Sequence, residues 1–163
     1  AGGVWLGAEL QQHELLGSDA AAHVVRDAAS AFAVYTPEVR HPVEVAAEEA
    51  PHLSAWLSKR LSAKVLLPQL EGFGYALVGG RLLATNDGPG ALIMYENAEG
   101  ERLVLYLCEN DLDGRSTSLR FAQEAQKSVF YWFDGAFSFA VVAELERPDL
   151  LSIAKTVYRT YQG

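Results

Sequence analysis

The sequence predicts an α+β domain in which an antiparallel meander of about six to seven strands carries three main helices. Three observations lead there. Apolar residues recur at helical spacing in three stretches, two early in the chain and one at its end. Between the second and third of these, short apolar or alternating runs follow one another at strand length. The words joining those runs are tight-turn words, so successive strands lie antiparallel.

The first helix is expected from about Ser18 to Tyr35, with Val24, Val25, Ala28 and Phe32 facing inward and Ser18 or Asp19 as its cap. "YTPEV" ends it, because Thr36 precedes a proline and is pushed out of the helical region. "RHPVEV", residues 40–45, then turns the chain into extended structure, with Val43-Glu44-Val45 alternating as an edge strand would. Arg40 and His41 are placed to cap that corner. They form either a structural hinge or a corner that relays a signal from the first helix to the sheet.

"APHLSAWLSKRL" is the second helix, with Pro51 near its start and Leu53, Trp56, Leu57 and Leu61 on one face. "YALVGGRLLA" reads as a hairpin turning at Gly79-Gly80, and "NDGPG", Asn86 to Gly90, as a loop between hairpins. "ALIMYENAEGERLVLYL" is a second hairpin, turning from Asn97 to Gly100. Its arms are apolar throughout, as in strands covered on both faces. Three more strands follow, the last two joined at Asp134-Gly135. The final helix, "RPDLLSIAKTVYRTY", has Pro148 and Asp149 in its first turn and Leu150, Ile153, Ala154, Val157, Tyr158 and Tyr161 on one face.

At 163 residues the chain suits one domain with a sizeable core, and no repeat or low-complexity segment divides it. The division expected is a membrane-proximal segment over residues 1–17, the remnant of or linker from a transmembrane helix, followed by a single α+β domain over 18–163. "AGGVWLGAEL", with Trp5 beside Leu6, fits an interfacial tryptophan at the end of a membrane span and equally fits a frayed amphipathic terminus.

A net charge of -8 opposes phosphate backbones, and the basic residues are scattered, so no nucleic-acid partner is expected. The single cysteine, Cys108, rules out an internal disulfide and lies in an apolar run as a small buried hydrophobe. His13, His23, His41 and His52 form no metal-binding spacing, "GFGYALVGG" lacks the lysine of a phosphate loop, and "ENDLDG" lacks the spaced ligands of a calcium loop. No catalytic residue, metal or cofactor is assigned.

The aromatic cluster Phe130, Tyr131, Trp132, Phe133, Phe137 and Phe139 stands out. On adjacent antiparallel strands alternate members face opposite ways, so one set packs under helices and the other needs a cover. The candidate ligand or interaction face is Tyr131, Phe133 and Phe137 with Tyr95 or Arg120 as polar groups. Core packing, a ligand groove and a homodimer contact all remain open for it.

Together, "RHPVEV", "HLSAWLSKRL", "GYALVGGRLL", "GPGALIMYENAEGERLVLYL" and "SVFYWFDGAFSFAVVAELERPDLLSIAKTVYR", in order over residues 18 to 161, resemble the periplasmic part of bacterial transmembrane anti-sigma factors. These proteins regulate extracytoplasmic-function sigma factors. The resemblance implies a non-enzymatic sensory domain on the periplasmic side of the inner membrane. It implies a sigma factor as partner of a cytoplasmic part not in this chain, a membrane helix, and an envelope protein or small molecule as signal. Two alternatives stand beside it: a small-molecule-binding or enzymatic module using the aromatic sheet face, and a structural dimerisation domain.

Overall fold

A computed structural model describes residues 2–38, 40–110, 114 and 116–163, with side chains described from residue 19 onward. Three helices, α1 (Gly2–Tyr35), α2 (Ala50–Leu61) and α3 (Arg147–Gln162), enclose one antiparallel sheet. Its strands are β1 (Val45–Ala46), β2 (Ala76–Thr85), β3 (Gly88–Glu96), β4 (Arg102–Glu109), β5 (Arg120–Glu124), β6 (Lys127–Asp134) and β7 (Phe137–Ala143). The spatial order is β1-β2-β3-β4-β7-β6-β5. The two meanders, β1 to β4 and β5 to β7, are thus joined side by side through β4 and β7, and β5 becomes the far edge.

Burial explains that order. β3, β4, β6 and β7 carry unbroken runs of buried residues, so both faces of each need covering and all four lie inside the sheet. The edge strand β5 is short and half exposed, with Arg120 and Gln123 in water. On one face Ile93, Leu105, Trp132 and Val141 meet Leu53, Leu57 and Leu61 of α2 and Leu150, Ile153 and Val157 of α3. On the other, Leu92, Met94, Val104, Tyr131 and Val142 meet Val24, Val25, Ala28 and Phe32 of α1. The chain is a three-layer sandwich with one helix on one side and two on the other.

Several expectations change. α1 does not begin at Ser18; it is helical from Gly2, so Ser18 and Asp19 lie within it and not at its start. Gly79-Gly80 is not a turn but the middle of β2, beside a bulge between Leu77 and Gly79. Packing, not reversal, requires those glycines. A Cβ on Gly79 would clash with the Val45 carbonyl oxygen, and one on Gly80 would stand 2.9 Å from a Leu53 methyl. Gly79 also has φ +148°. The hairpin turns instead at Asn86-Asp87, so "NDGPG" is a turn followed by the first residues of β3. The edge strand expected over 43–45 is reduced to Val45–Ala46. Its approach is held by Glu44, whose N–H donates to the Gly80 carbonyl at 2.9 Å and whose Oε1 accepts from the Leu82 N–H at 2.8 Å. That carboxylate blocks an edge N–H of β2 which would otherwise be open to another strand.

Replacing Gly79 by alanine is expected to cost about 2–4 kcal/mol, because both the backbone conformation and the approach of β1 are lost. Gly100→Ala, at φ +80° but with open space around it, is expected to cost only about 1 kcal/mol. Urea unfolding of the two variants measures the difference.

Candidate functional site

The aromatic face expected from the sequence is not assembled as one surface. Tyr131 and Phe133 lie under α1, with ring centroids 6.1 Å apart in an edge-on arrangement. Tyr95 is buried on the opposite face, where its hydroxyl donates to the Pro68 carbonyl at 2.6 Å. Phe137 also belongs to that face, in a cavity of about 240 Å³ shared with Leu61, Phe139 and Tyr161. Arg120 is exposed on the edge strand, its backbone opposite Tyr131. Strand alternation separates Tyr131 and Phe133 from Tyr95 and Phe137, and each pair has its own helical cover. Trp132 stacks on Phe139 at 5.0 Å and meets Tyr158 edge-on at 5.4 Å, so this part of the cluster is core.

The corner expected at Arg40 and His41 is built by other residues. Both side chains are exposed. The end of α1 is capped by Arg102 from β4, which donates through Nη1 to the carbonyls of Thr36 at 2.8 Å and Glu38 at 2.6 Å. Its Nε donates to Glu96 Oε2 at 2.7 Å. α1 has no basic residue in its own last turn, so this guanidinium supplies the positive charge that a helix C-terminus favours. One turn of sheet away, the Arg81 guanidinium lies 4.0 Å from the centre of the Tyr35 ring. Two arginines of the sheet therefore seat the last turn of the helix.

Nearer the middle of α1 a second polar contact fastens it to the β2–β3 turn. With Nε2 protonated, His23 donates to Asp87 Oδ2 at 3.0 Å and stands 3.2 Å from Asp27 Oδ2. The sheet beneath is unusually low here. Gly90, Cys108 and Ser138 are neighbours across β3, β4 and β7, and small side chains leave space under a helix that bridges them. Cys108 and Ser138, with His23 and Asp87, line a cavity of about 440 Å³. Asp27, Ser30, Thr85, Asn86 and Tyr106 line a second, of about 270 Å³. Asp27 and Asp87, the two carboxylates at His23, each line one of these cavities.

Tyr106 is 1 % exposed, and its hydroxyl lies beside the Cys108 thiol, its one close polar neighbour among the described residues, without a well-aligned hydrogen bond. Burial first, and then Cys108, Asp27 and Asp87, push its pKa well above the usual tyrosine range. Burial likewise pushes the Cys108 thiol up to about 11, so at neutral pH it is a poor nucleophile. Among the described residues no group of three or more His, Cys, Asp and Glu side chains is arranged to hold a metal ion. No helix among them is long and apolar enough to cross a membrane.

The sequence offered only partial signals for this region. His23 and Asp27 are an i,i+4 pair and Asn86-Asp87 is a turn word, but Arg102 reaches Thr36 across 66 residues and Tyr106 sits in an apolar run. Compared with family models, curated proteins and solved structures, the chain matches none.

Arg102→Met is expected to lower stability by about 2 kcal/mol, by orphaning the carbonyls at the end of α1 and the Glu96 carboxylate. Hydrogen exchange should quicken selectively in the last turn of that helix. For Cys108 the sign follows from a folded pKa near 11 against about 8.5 for an exposed thiol. The folded state holds the proton longer, so this group's contribution to stability falls as pH rises from about 8.5 towards 11. At pH 8 a thiol reagent should label native Cys108 about a hundredfold more slowly than the unfolded chain.

Proposed function

We propose that the chain is a non-enzymatic extracytoplasmic sensory and interaction domain of a transmembrane anti-sigma factor. It would lie on the periplasmic side of the inner membrane and act on an extracytoplasmic-function sigma factor through the cytoplasmic part of the same protein. The resemblance of residues 18 to 161 motivates this reading. The observation that carries it is α1, one continuous helix from Gly2 to Tyr35 that is also the helical layer on one sheet face.

A helix of 34 residues is about 51 Å long and moves as a rod. Force or displacement at its N-terminal half reaches the layer between Val24 and Phe32 without an intervening joint. That layer is built largely from Ala28, Ala31 and two valines, with Ala20 and Ala21 packed at its border. Such a surface permits sliding more readily than one of large interlocked side chains. The polar fastenings, His23 to Asp87 and Arg102 to the helix end, define the resting position. An envelope protein or small molecule that favours another seating of α1 would shift the population by its difference in affinity for the two.

In cells that encode the protein, deleting its gene should raise transcription of a discrete set of genes sharing one promoter type, and the full gene should restore repression. Ala28→Leu, which overpacks a buried contact at a cost of about 1–3 kcal/mol, should leave the same set partly derepressed. Transcription unchanged by the deletion would overturn the reading.

A further inference from the structure

The two rims of the sheet are finished differently, and the β5 rim is left open. We propose that β5 pairs with β5 of a second copy of this chain, antiparallel about a two-fold axis at Ala122, joining two seven-stranded sheets edge to edge. This goes beyond the regulatory reading and does not depend on it.

Backbone geometry makes the rim available. β5 and β6 are joined by the two-residue loop Ala125-Gln126, with Glu124 opposite Lys127. In such a hairpin the closing pair exchanges hydrogen bonds, and every second pair after it does the same. Glu124, Ala122 and Arg120 therefore bond to β6, while Phe121 and Gln123 turn their N–H and C=O groups outward. β5 is the last strand of the sheet, and those outward groups have no hydrogen-bond partner among the described residues. The opposite rim is guarded, since β1 covers part of β2 and the Glu44 carboxylate takes the Leu82 N–H. β5 is also held in place by its side chains. The Phe121 ring lies 5.0 Å from that of Phe130, with the Arg147 guanidinium 4.5 Å above it, so the edge is ordered before any partner arrives.

Charge selects the occupant. In the register centred on Ala122, Arg120 stands opposite the partner's Glu124, and the two-fold axis makes that pair twice. The same register sets Phe121 against the partner's Gln123, which is the pairing the outward backbone groups allow. Centring on Phe121 or Gln123 instead loses both charge pairs. Neither Arg120 nor Glu124 has an ion-pair partner among the described residues, so both charges are free for a second chain. Arg120, Ala122 and Glu124 share the α1 side of the sheet, where Ala122 packs. Two alanines then meet at the axis, where opposed side chains come closest and only small ones fit without displacement. A strand without this order of charges would leave Arg120 and Glu124 unmatched. Five residues a side place the contact in the weak, transient class of interfaces, below about 1,200 Å².

The test is sedimentation equilibrium of this chain across the Kd expected for so small a contact, about 0.05–1 mM, with amide hydrogen exchange at both ends of the range. Dimer should form as concentration rises, and the Phe121 and Gln123 amides should become protected with it. Gln123→Pro removes an outward N–H and no bond to β6, so it should abolish association while leaving the melting temperature nearly unchanged. Arg120→Glu and Glu124→Arg each set like charges opposite one another twice and should each weaken self-association about tenfold. Mixed in equal amounts, those two variants regain opposite charges at both pairs and should form a heterodimer about as tight as the native dimer. The proposal is overturned if the chain stays monomeric throughout, or if it dimerises while Phe121 and Gln123 exchange as in the monomer. It is equally overturned if Gln123→Pro associates like the native chain, or if the two folded charge variants associate no better together than apart.

Discussion

A sheet whose inner strands are apolar on both faces governs everything else in this protein. β3, β4, β6 and β7 have no side chain run that can be left in water, so the fold needs two helical layers where an ordinary half-wet antiparallel sheet needs one. α2 and α3 cover one face together, each contributing a narrow apolar stripe. The other face has α1 alone. One helix is narrower than a seven-stranded sheet, and so this layer has borders. Two cavities lie along such a border, between the flank of α1 and the β2–β3 turn.

Polar contacts on that side set position more than they add cohesion. Arg102 joins the helix end to a strand by two charge-assisted hydrogen bonds while a third ties it to Glu96 of β3, and its geometry fixes where along the sheet the helix stops. Arg81 on Tyr35 fixes the rotation of the same turn. His23 reaches Asp87 from the helix middle. Burial of Val24, Val25 and Phe32 supplies most of the attachment, at about 1.5–3 kcal/mol per fully buried side chain. The apolar layer says that the helix docks; the arginines and the histidine say where.

Much of the fold was legible because it rests on local signals. The boundaries of α2 and α3, the Asn97–Gly100 and Asp134-Gly135 turns, and the two-sided burial of "ALIMY" and "LVLYL" follow from period and turn chemistry over a few residues. Gly79-Gly80 misled because a glycine pair in a strand and a glycine pair in a turn look alike from the chain alone. Only the approach of Val45 and Leu53 tells them apart. The site was less legible for a related reason. Tyr95, Tyr131 and Phe137 are all aromatic residues on strands, but their faces depend on register relative to strands far away in sequence. Arg40 and His41 looked like the cap of the corner because they are adjacent in sequence. The residue that does the capping lies on β4, and nothing local distinguishes it from any other arginine.

The placement of α1 also carries a consequence for how a cell makes the chain. This helix is synthesised before the sheet it covers, yet its main neighbours are β7, β6, β4 and β5, and β7 ends at Ala143. At about 5–20 residues per second, the apolar stripe of α1 waits on the order of ten seconds for its partner surface. During that interval a finished helix exists with nothing of its own to cover it. Whatever escorts or tethers this helix through biogenesis meets Val24, Val25 and Phe32 before the sheet does.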